Sequence, residues 1–366
     1  MRYILMCAIS LFAFSSCDIH EFPAEESKEL VPFTLHLNFN TEMPLHKEVD
    51  YTRNTTDGVT KTPYEAHDFR YMIKAYRTDN VAGNVYDSDT TFIFTRSDYE
   101  DSNYNYTATI ELPEGEYTLR AWCDFIDAGS TADKYYNTEL FNKVYLLNDD
   151  GENHSGSNDY RDAFRGTVST VVTNPRFYSG DIVNTFKNEA TIEMSRPMAK
   201  FEFISTDLEA FLSRVIQMKQ LKGELMNIGT SPSFEQMLQS VNLDDFDIVI
   251  TYKQYMGCEY NIFADKTSWS QSNVSFRSKM REVIESKTEM LLGHDFVFVN
   301  PTGTTLSINV MVFDQDGNKM SESIPVNVPL AQGQLTVVKG EFLTSQATSG
   351  AVIDPGFDGD HNIYIP

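Results

Sequence analysis

Seven histidines, His20, His36, His46, His67, His154, His294 and His361, are the side chains of this 366-residue sequence best suited to grip a metal or shuttle a proton. They fall at no ligand spacing, and no HExxH is present. GxSxG, GxGxxG and the P-loop are also absent, which removes the common nucleophile and nucleotide signatures. Asp124 and Asp127 could pair as the two acids of a glycosidase, but in a chain with 53 acidic residues such neighbours arise by chance. Asp314, Asp316 and Asn318 around Gly317 have the look of a calcium loop that lacks its distal glutamate. A hairpin turn explains them better, and the same caution covers Asp354, Asp358 and Asp360. Tyr99, Tyr104 and Tyr106 cluster in a polar stretch where stacking on a sugar is conceivable, although strand tyrosines more often serve sheet packing. The expectation is a non-enzymatic protein with no metal and no cofactor.

The residue placed for covalent chemistry is Cys17. Arg2 puts a positive charge ahead of Ile4–Phe14, eleven mostly apolar residues, and Ser15 and Ser16 precede the thiol. From Asp18 to Glu29 the chain turns polar and acidic. The apolar run is shorter than the roughly 20 residues a spanning helix needs, and no later segment approaches that length. This arrangement resembles a bacterial lipobox, with Phe14 where an aliphatic residue usually stands. The resemblance implies export, cleavage after Ser16, and attachment of lipid to Cys17. A single acyl chain holds a protein only marginally, whereas several hold it firmly.

The elements that must carry such an anchor are those of a soluble, acidic, strand-rich chain. Lys plus Arg is 29 against 53 for Asp plus Glu, a net charge of −24, and loss of residues 1–16 removes Arg2 and brings it to −25. Nucleic acid is excluded as a partner, and adhesion to anionic lipid by charge is disfavoured. Cys7 leaves with the signal, so Cys123 and Cys258 are the thiols that remain; two exported cysteines make no disulfide framework. Cys123 lies on the apolar face Tyr117, Leu119, Ala121, Cys123, Phe125 and reads as a buried core thiol.

Length favours two domains. After an acidic tether, Phe33, Leu35, Leu37 and Phe39 alternate with polar residues in a first strand. Residues 41–66 are polar and broken by Pro44, Gly58 and Pro63, a long loop. Strands follow at 69–76, 90–95, 106–112 and 117–125, with Pro113–Glu116 expected to close a tight hairpin. A helical turn is expected at 160–164 and a strand at 167–173. A second strand-rich unit starts near Thr191. It contains a helix over Leu208–Lys219 with Asp207 at its start, and strands at 246–252, 295–299, 306–313, 320–328, 335–343 and 363–365. The stretch 256–287 has no clear pattern. The organisation predicted is a lipoprotein signal peptide over 1–16, a tether over 17–30, and two tandem β-sandwiches over 31–190 and 191–366, mainly β with one or two short helices.

Several segments carry a family likeness: LPEGEYTLRAWCDFID at 112–127, SRPMAKFEF at 195–203, YMG and NIFADK within 252–266, DFVFVN at 295–300, VPLAQGQLTVVKGEFLT at 328–344, and the terminal FDGDHNIYIP. Together they resemble the fimbrillin superfamily of Bacteroidetes, surface lipoproteins that build or anchor type V pili. The resemblance implies two transthyretin-like β-sandwiches held at the cell outer membrane. In pilus subunits of that superfamily a trypsin-like protease cuts after an arginine in the first strand region, and another subunit's strand fills the groove left behind. Arg53, in YTRN at 51–54, sits where such a cut would fall; as an ordinary loop arginine it would go unprocessed. Anchor members keep their lipid. The partners implied are the membrane, through Cys17, and other fimbrial subunits or an anchor. The alternative is a surface lipoprotein of the same fold that binds a glycan or host protein and does not polymerise.

Overall fold

The computed structural model describes residues 29–39, 67–78, 88–97, 104–147, 154–177, 187–225, 232–283 and 286–345, and the backbone of 361–365. The signal segment, Cys17, nearly all of the tether, the loop carrying Arg53, Tyr99, and Asp354, Asp358 and Asp360 lie outside the described residues.

Alternation makes the first strand. Val31, Phe33, Leu35 and Leu37 are buried along Leu30–Phe39, which forms β1. It is followed by β2 (His67–Arg77), β3 (Thr90–Ser97), β4 (Tyr106–Pro113), β5 (Gly115–Asp127), β6 (Tyr136–Asn137), β7 (Val144–Leu146), β8 (Ala163–Val172) and β9 (Glu189–Met194). β1 lies between β4, antiparallel, and β9, parallel, in a three-stranded sheet, while a second sheet runs β3-β2-β5-β8. The two close over one core, in which Phe33, Leu35 and Leu37 meet Phe69, Tyr71, Leu119, Cys123 and Phe125. The hairpin expected at Pro113–Glu116 does not form: β4 pairs with β1, and β5 with β2 and β8, so this turn crosses between sheets. Arg77 packs against the turn where it crosses. Its Nη2 donates to Glu114 O at 2.9 Å, and its guanidinium occupies the place where a Cβ on Gly115 would stand. Thr191–Met194, placed with the second unit on sequence, pair with β1 instead, and Ile192 and Met194 join the first core.

The second sandwich begins with β10 (Met198–Ser205). Then come α1 (Leu208–Leu221), α2 (Phe234–Ser240), β11 (Asp247–Tyr252), β12 (Met256–Asn261), β13 (Lys266–Gln271), β14 (Ser275–Ser278), β15 (Arg281–Val283) and β16 (Ser286–Phe298). The chain continues through β17 (Thr304–Phe313), β18 (Lys319–Glu322), β19 (Val326–Leu330), β20 (Leu335–Gly340) and β21 (His361–Ile365). One sheet runs β15-β16-β10-β20-β21, the other β14-β11-β17-β18 with β19 also on β17. Their core includes Phe201, Phe203, Ile250, Leu292 and Val310, covered at one side by Phe211, Leu212 and Val215 of α1. Asp207 stands at the start of α1, but its carboxylate caps nothing there. It accepts instead from Thr344 N at 2.8 Å and Thr344 Oγ1 at 2.6 Å. The single strand expected over 320–328 is two, β18 and β19, interrupted near Pro325, which has no N–H for the ladder. α2 is opened by a capping box, Ser233 with Gln236, a pattern present in the sequence but absent from the expectations above.

A fifth sheet joins the two halves. Its order is β13-β12-β7-β6, so two strands come from the excursion between β5 and β8 and two from the second half. Under it lies a third core of Met72, Trp122, Tyr136, Val144, Met198, Tyr260, Phe296 and Phe298, drawn from both sandwiches. The sandwiches therefore share buried surface, and separating them would expose Trp122, now fully buried. Replacing Trp122 with Ala should cost about 3–5 kcal/mol. The same shared core predicts a single urea transition for both halves, with far-UV ellipticity and near-UV signals coincident; two resolved transitions in the unmodified protein would contradict it.

Candidate functional site

Arg196, Lys200, Glu202 and Asp295 meet charges of the first half at the junction of the halves. A single 3₁₀ turn, Asp159–Arg161, leaves the first half and inserts its charges against the second. Arg161 Nη1 donates to Asp295 Oδ1 at 2.5 Å and Nη2 to Phe296 O at 3.4 Å. The other Asp295 oxygen accepts from Tyr252 OH at 2.5 Å and lies 2.5 Å from His154 Nε2. Asp159 faces Lys200 Nζ at 3.3 Å and His294 Nε2 at 3.0 Å, and Lys200 also pairs with Glu202 at 3.1 Å. Asp162 takes both forks of Arg196 at 2.7 Å, and that guanidinium sits 4.5 Å from the centroid of the Phe164 ring. Each charge on the turn has an opposite charge from the second half. The loop leading in is seated closely, because a Cβ on Gly156 would lie 2.4 Å from the Phe276 ring.

This cluster has acid, base and cation in one place, yet it is sealed. His154, Arg161, Tyr252 and Asp295 are all buried, so no substrate reaches them, and the chemistry they perform is attachment of one half to the other. Burial pushes the Asp295 carboxyl up, but Arg161, His154 and the hydrogen bonds from His154 and Tyr252 outweigh it and hold the group at about 2.

The other nominated residues do not converge. Asp124 is buried and held by Arg70 at 2.8 Å through both oxygens, whereas Asp127 faces solvent beside Lys134. Burial pushes the Asp124 carboxyl up by more than Arg70 pulls it down. Asp314 Oδ1 accepts from the backbone N–H of Asp316 at 3.0 Å and of Asn318 at 2.8 Å, the bonding of the hairpin turn between β17 and β18. Among the described residues no group of three ligating side chains could hold a metal. Tyr104 is core, stacked 4.4 Å from Phe69, and Tyr106 stacks on Tyr71 at 4.4 Å, so this pair presents no platform for a sugar. Cys123 and Cys258 are buried and form no disulfide, and burial drives the Cys123 thiol well above its usual range.

The remaining site is the slot occupied by β1. It is bounded by the β4 edge, in register Phe33 with Ile110 and Leu35 with Ala108, and by the β9 edge, Leu37 with Ile192. Its floor is the face of the first core that Val31, Phe33, Leu35 and Leu37 cover. Each buried side chain contributes about 1.5–3 kcal/mol, so β1 supplies roughly 6–12 kcal/mol, on the scale of the 5–15 kcal/mol that holds a whole domain.

Residues 29–366 match a family of unknown function, DUF6562. No curated protein matches the chain. Among solved structures, the fimbrial anchor protein Mfa2 of Porphyromonas gingivalis is 11% identical, with 80% of this chain and 82% of that chain covered, at a TM-score of 0.35. A structure from Bacteroides eggerthii, provisionally described as a cell adhesion protein, is 13% identical over 92% of this chain and 98% of that chain, at a TM-score of 0.41. With scores this low, neither likeness decides what this chain does.

Replacing Asp295 with Ala leaves Arg161 buried without its partner and should cost about 3–5 kcal/mol, read as a lower urea midpoint with an unchanged slope. Because its folded pKa is depressed below the ordinary ~3.9, Asp295 contributes stability that is present above about pH 4 and lost as the pH falls toward 2. The unmodified protein should therefore lose more stability between pH 4 and 2 than Asp295→Asn does.

Proposed function

The chain belongs to the family of unknown function DUF6562, and we propose that it is a non-enzymatic surface lipoprotein of fimbrillin type. In this reading it is held at the outer membrane through lipid on Cys17 and assembles with other fimbrial subunits or an anchor by strand exchange. The observation that carries the proposal is the place of β1. It is the middle strand of its sheet, hydrogen-bonded on both sides, and it is the first strand of the described residues, ahead of Arg53 in the chain.

A cut after Arg53 would leave β1 held to the rest only by hydrogen bonds and packing. Its departure would open two unpaired edges and an apolar groove at once, a state too costly to persist in water. A strand of the same alternation from another subunit satisfies the edges and the groove together. The shared sheet and the charged turn support this reading in a second way, because they fasten β5, β8 and their neighbours to the second sandwich independently of β1. The segments at 112–127, 195–203 and 328–344 that resemble fimbrillins add family-level support. Retention of the lipid would make the protein an anchor, and its loss together with β1 a polymerising subunit.

Intact mass spectrometry of the protein from membranes and shed filaments of its own cells, with and without trypsin-like protease activity, tests the proposal. A species beginning at Asn54 in filaments is the outcome expected of a subunit, and an acylated species beginning at Cys17 at the base of filaments that of an anchor. A protein that is neither acylated nor found with filaments refutes both. In vitro, cleavage after residue 53 followed by release of β1 should lower stability by about 6–12 kcal/mol, and a peptide covering residues 30–39 added in trans should restore it, read by thermal melting.

A further inference from the structure

The fifth sheet carries the exposed Trp269 on its outer face. We propose that this face, centred on Trp269, binds a neutral oligosaccharide. The inference does not rest on strand exchange, since β12 and β13 are remote in pairing from the β1 slot.

Glu259 on β12 stands directly opposite Trp269 on β13 in one direction and Tyr145 on β7 in the other. The β12–β13 register shifts on both sides of Glu259, yet Tyr145, Glu259 and Trp269 line one cleft, so the row reads aromatic, carboxylate, aromatic. Strands lie about 4.8 Å apart, which sets the two rings roughly 10 Å from each other, about the span of two sugar rings. Lys143, Ser268 and Gln271, with Leu146 and Cys258 behind them, complete a cleft of 440 Å³ around the row, within the usual range for ligand sites of about 300–1,000 Å³. The floor is anchored: Ser268 Oγ donates to Glu259 Oε1 at 2.7 Å, and Lys143 Nζ is 3.6 Å from Oε2. The Glu259 side chain is only 12% exposed, so its position is set before any ligand arrives.

The ligand class follows from what surrounds the tryptophan. Of the two tryptophans, Trp122 is fully buried, while Trp269 is 54% exposed. Its strand reads Lys-Thr-Ser-Trp-Ser-Gln, with hydroxyls, an amide and an amine and no other apolar side chain. A protein-docking hot spot sets its aromatic anchor in a desolvated, well-packed pocket, which this strand does not supply. A polyhydroxylated chain needs this mixture: flat π faces, negative at their centres, for the C–H faces of its rings, and fixed donors and acceptors for its hydroxyls. The carboxylate at the centre and the net charge of −24 work against sulfated or uronic polymers, which leaves neutral sugars.

The test titrates the full chain with maltohexaose, mannohexaose, xylohexaose and chitohexaose, with heparin as the anionic comparison, reading tryptophan fluorescence and heat. Trp122 is shut off from the ligand, so a change in emission reports Trp269. Saturable binding of at least one neutral hexaose is expected. Trp269→Ala should weaken it about ten-fold or more, equivalent to 1.4 kcal/mol, and Glu259→Gln should weaken it less, with the melting temperature of both variants within a few degrees of the parent. Absence of binding by all four hexaoses at millimolar concentration, binding that survives Trp269→Ala, or binding of heparin alone would overturn the assignment. None of these results bears on strand exchange, whose readout is the processed amino terminus.

Discussion

The rest of this structure depends on the charge match at the turn Asp159–Arg161. Three consecutive charges of alternating sign on or beside that turn, at 159, 161 and 162, each find an opposite partner on β10, on β16 or just before β10. Buried ions are expensive to desolvate, and a pair repays that cost only when geometry and hydrogen bonds are complete. Here Asp295 alone takes an arginine, a histidine and a tyrosine. Such a set tolerates one docking arrangement of the halves, because a shift in register would strand several buried charges together. The ion network thus sets position, and the apolar cluster around Trp122 supplies the larger share of the attraction.

Fixing the halves has consequences for both proposed activities. Strand exchange asks the first sandwich to lose a central strand without unfolding, and it can do so only if its other sheet is held elsewhere. β5 and β8 are held there, by Trp122 in the third core and by the bridge between Arg165 and Ser195. The fifth sheet, which closes that core from outside, has its inner face occupied by Tyr136, Val144 and Tyr260, so Tyr145 and Trp269 are left to line the cleft. The proposed anchoring, assembly and binding would then use separate parts of the chain: Cys17, the β1 slot, and the cleft at Trp269.

Fold class was legible because both sandwiches bury one face of each strand, which writes a period of two into the chain. The strand at 33–39, the face containing Cys123, the helix after Asp207 and the turn at 314–318 were all readable from local pattern, and the structure has each of them. Errors came where pairing is not local. Pro113–Glu116 has the composition of a hairpin, but β4 pairs with β1 and β5 with β2 and β8, so the turn joins two sheets. Residues 191–194 look like the start of a unit, and their partner is β1, more than 150 residues earlier. The fifth sheet was missed because β12 and β13 fall in the patternless stretch 256–287 and β6 is two residues long; a strand at 145–148 is suggested by the sequence and overlaps β7. Its aromatic row was missed too, since Tyr145, Glu259 and Trp269 become neighbours only by cross-strand register.

By itself, the sequence determined what local chemistry determines. It set a thiol after small residues and an apolar run, an acidic surface hostile to nucleic acid, strands by alternation, and the absence of the familiar catalytic signatures. Tertiary structure decided which charges are partners, which aromatics are core and which are open. Tyr104 and Trp269 both sit in polar stretches of sequence, yet one is buried and the other faces solvent. The reason is physical: exposure and ion pairing depend on what packs against a residue from far along the chain, and a one-dimensional pattern carries only the part of that information that repeats with the period of its own strand or helix.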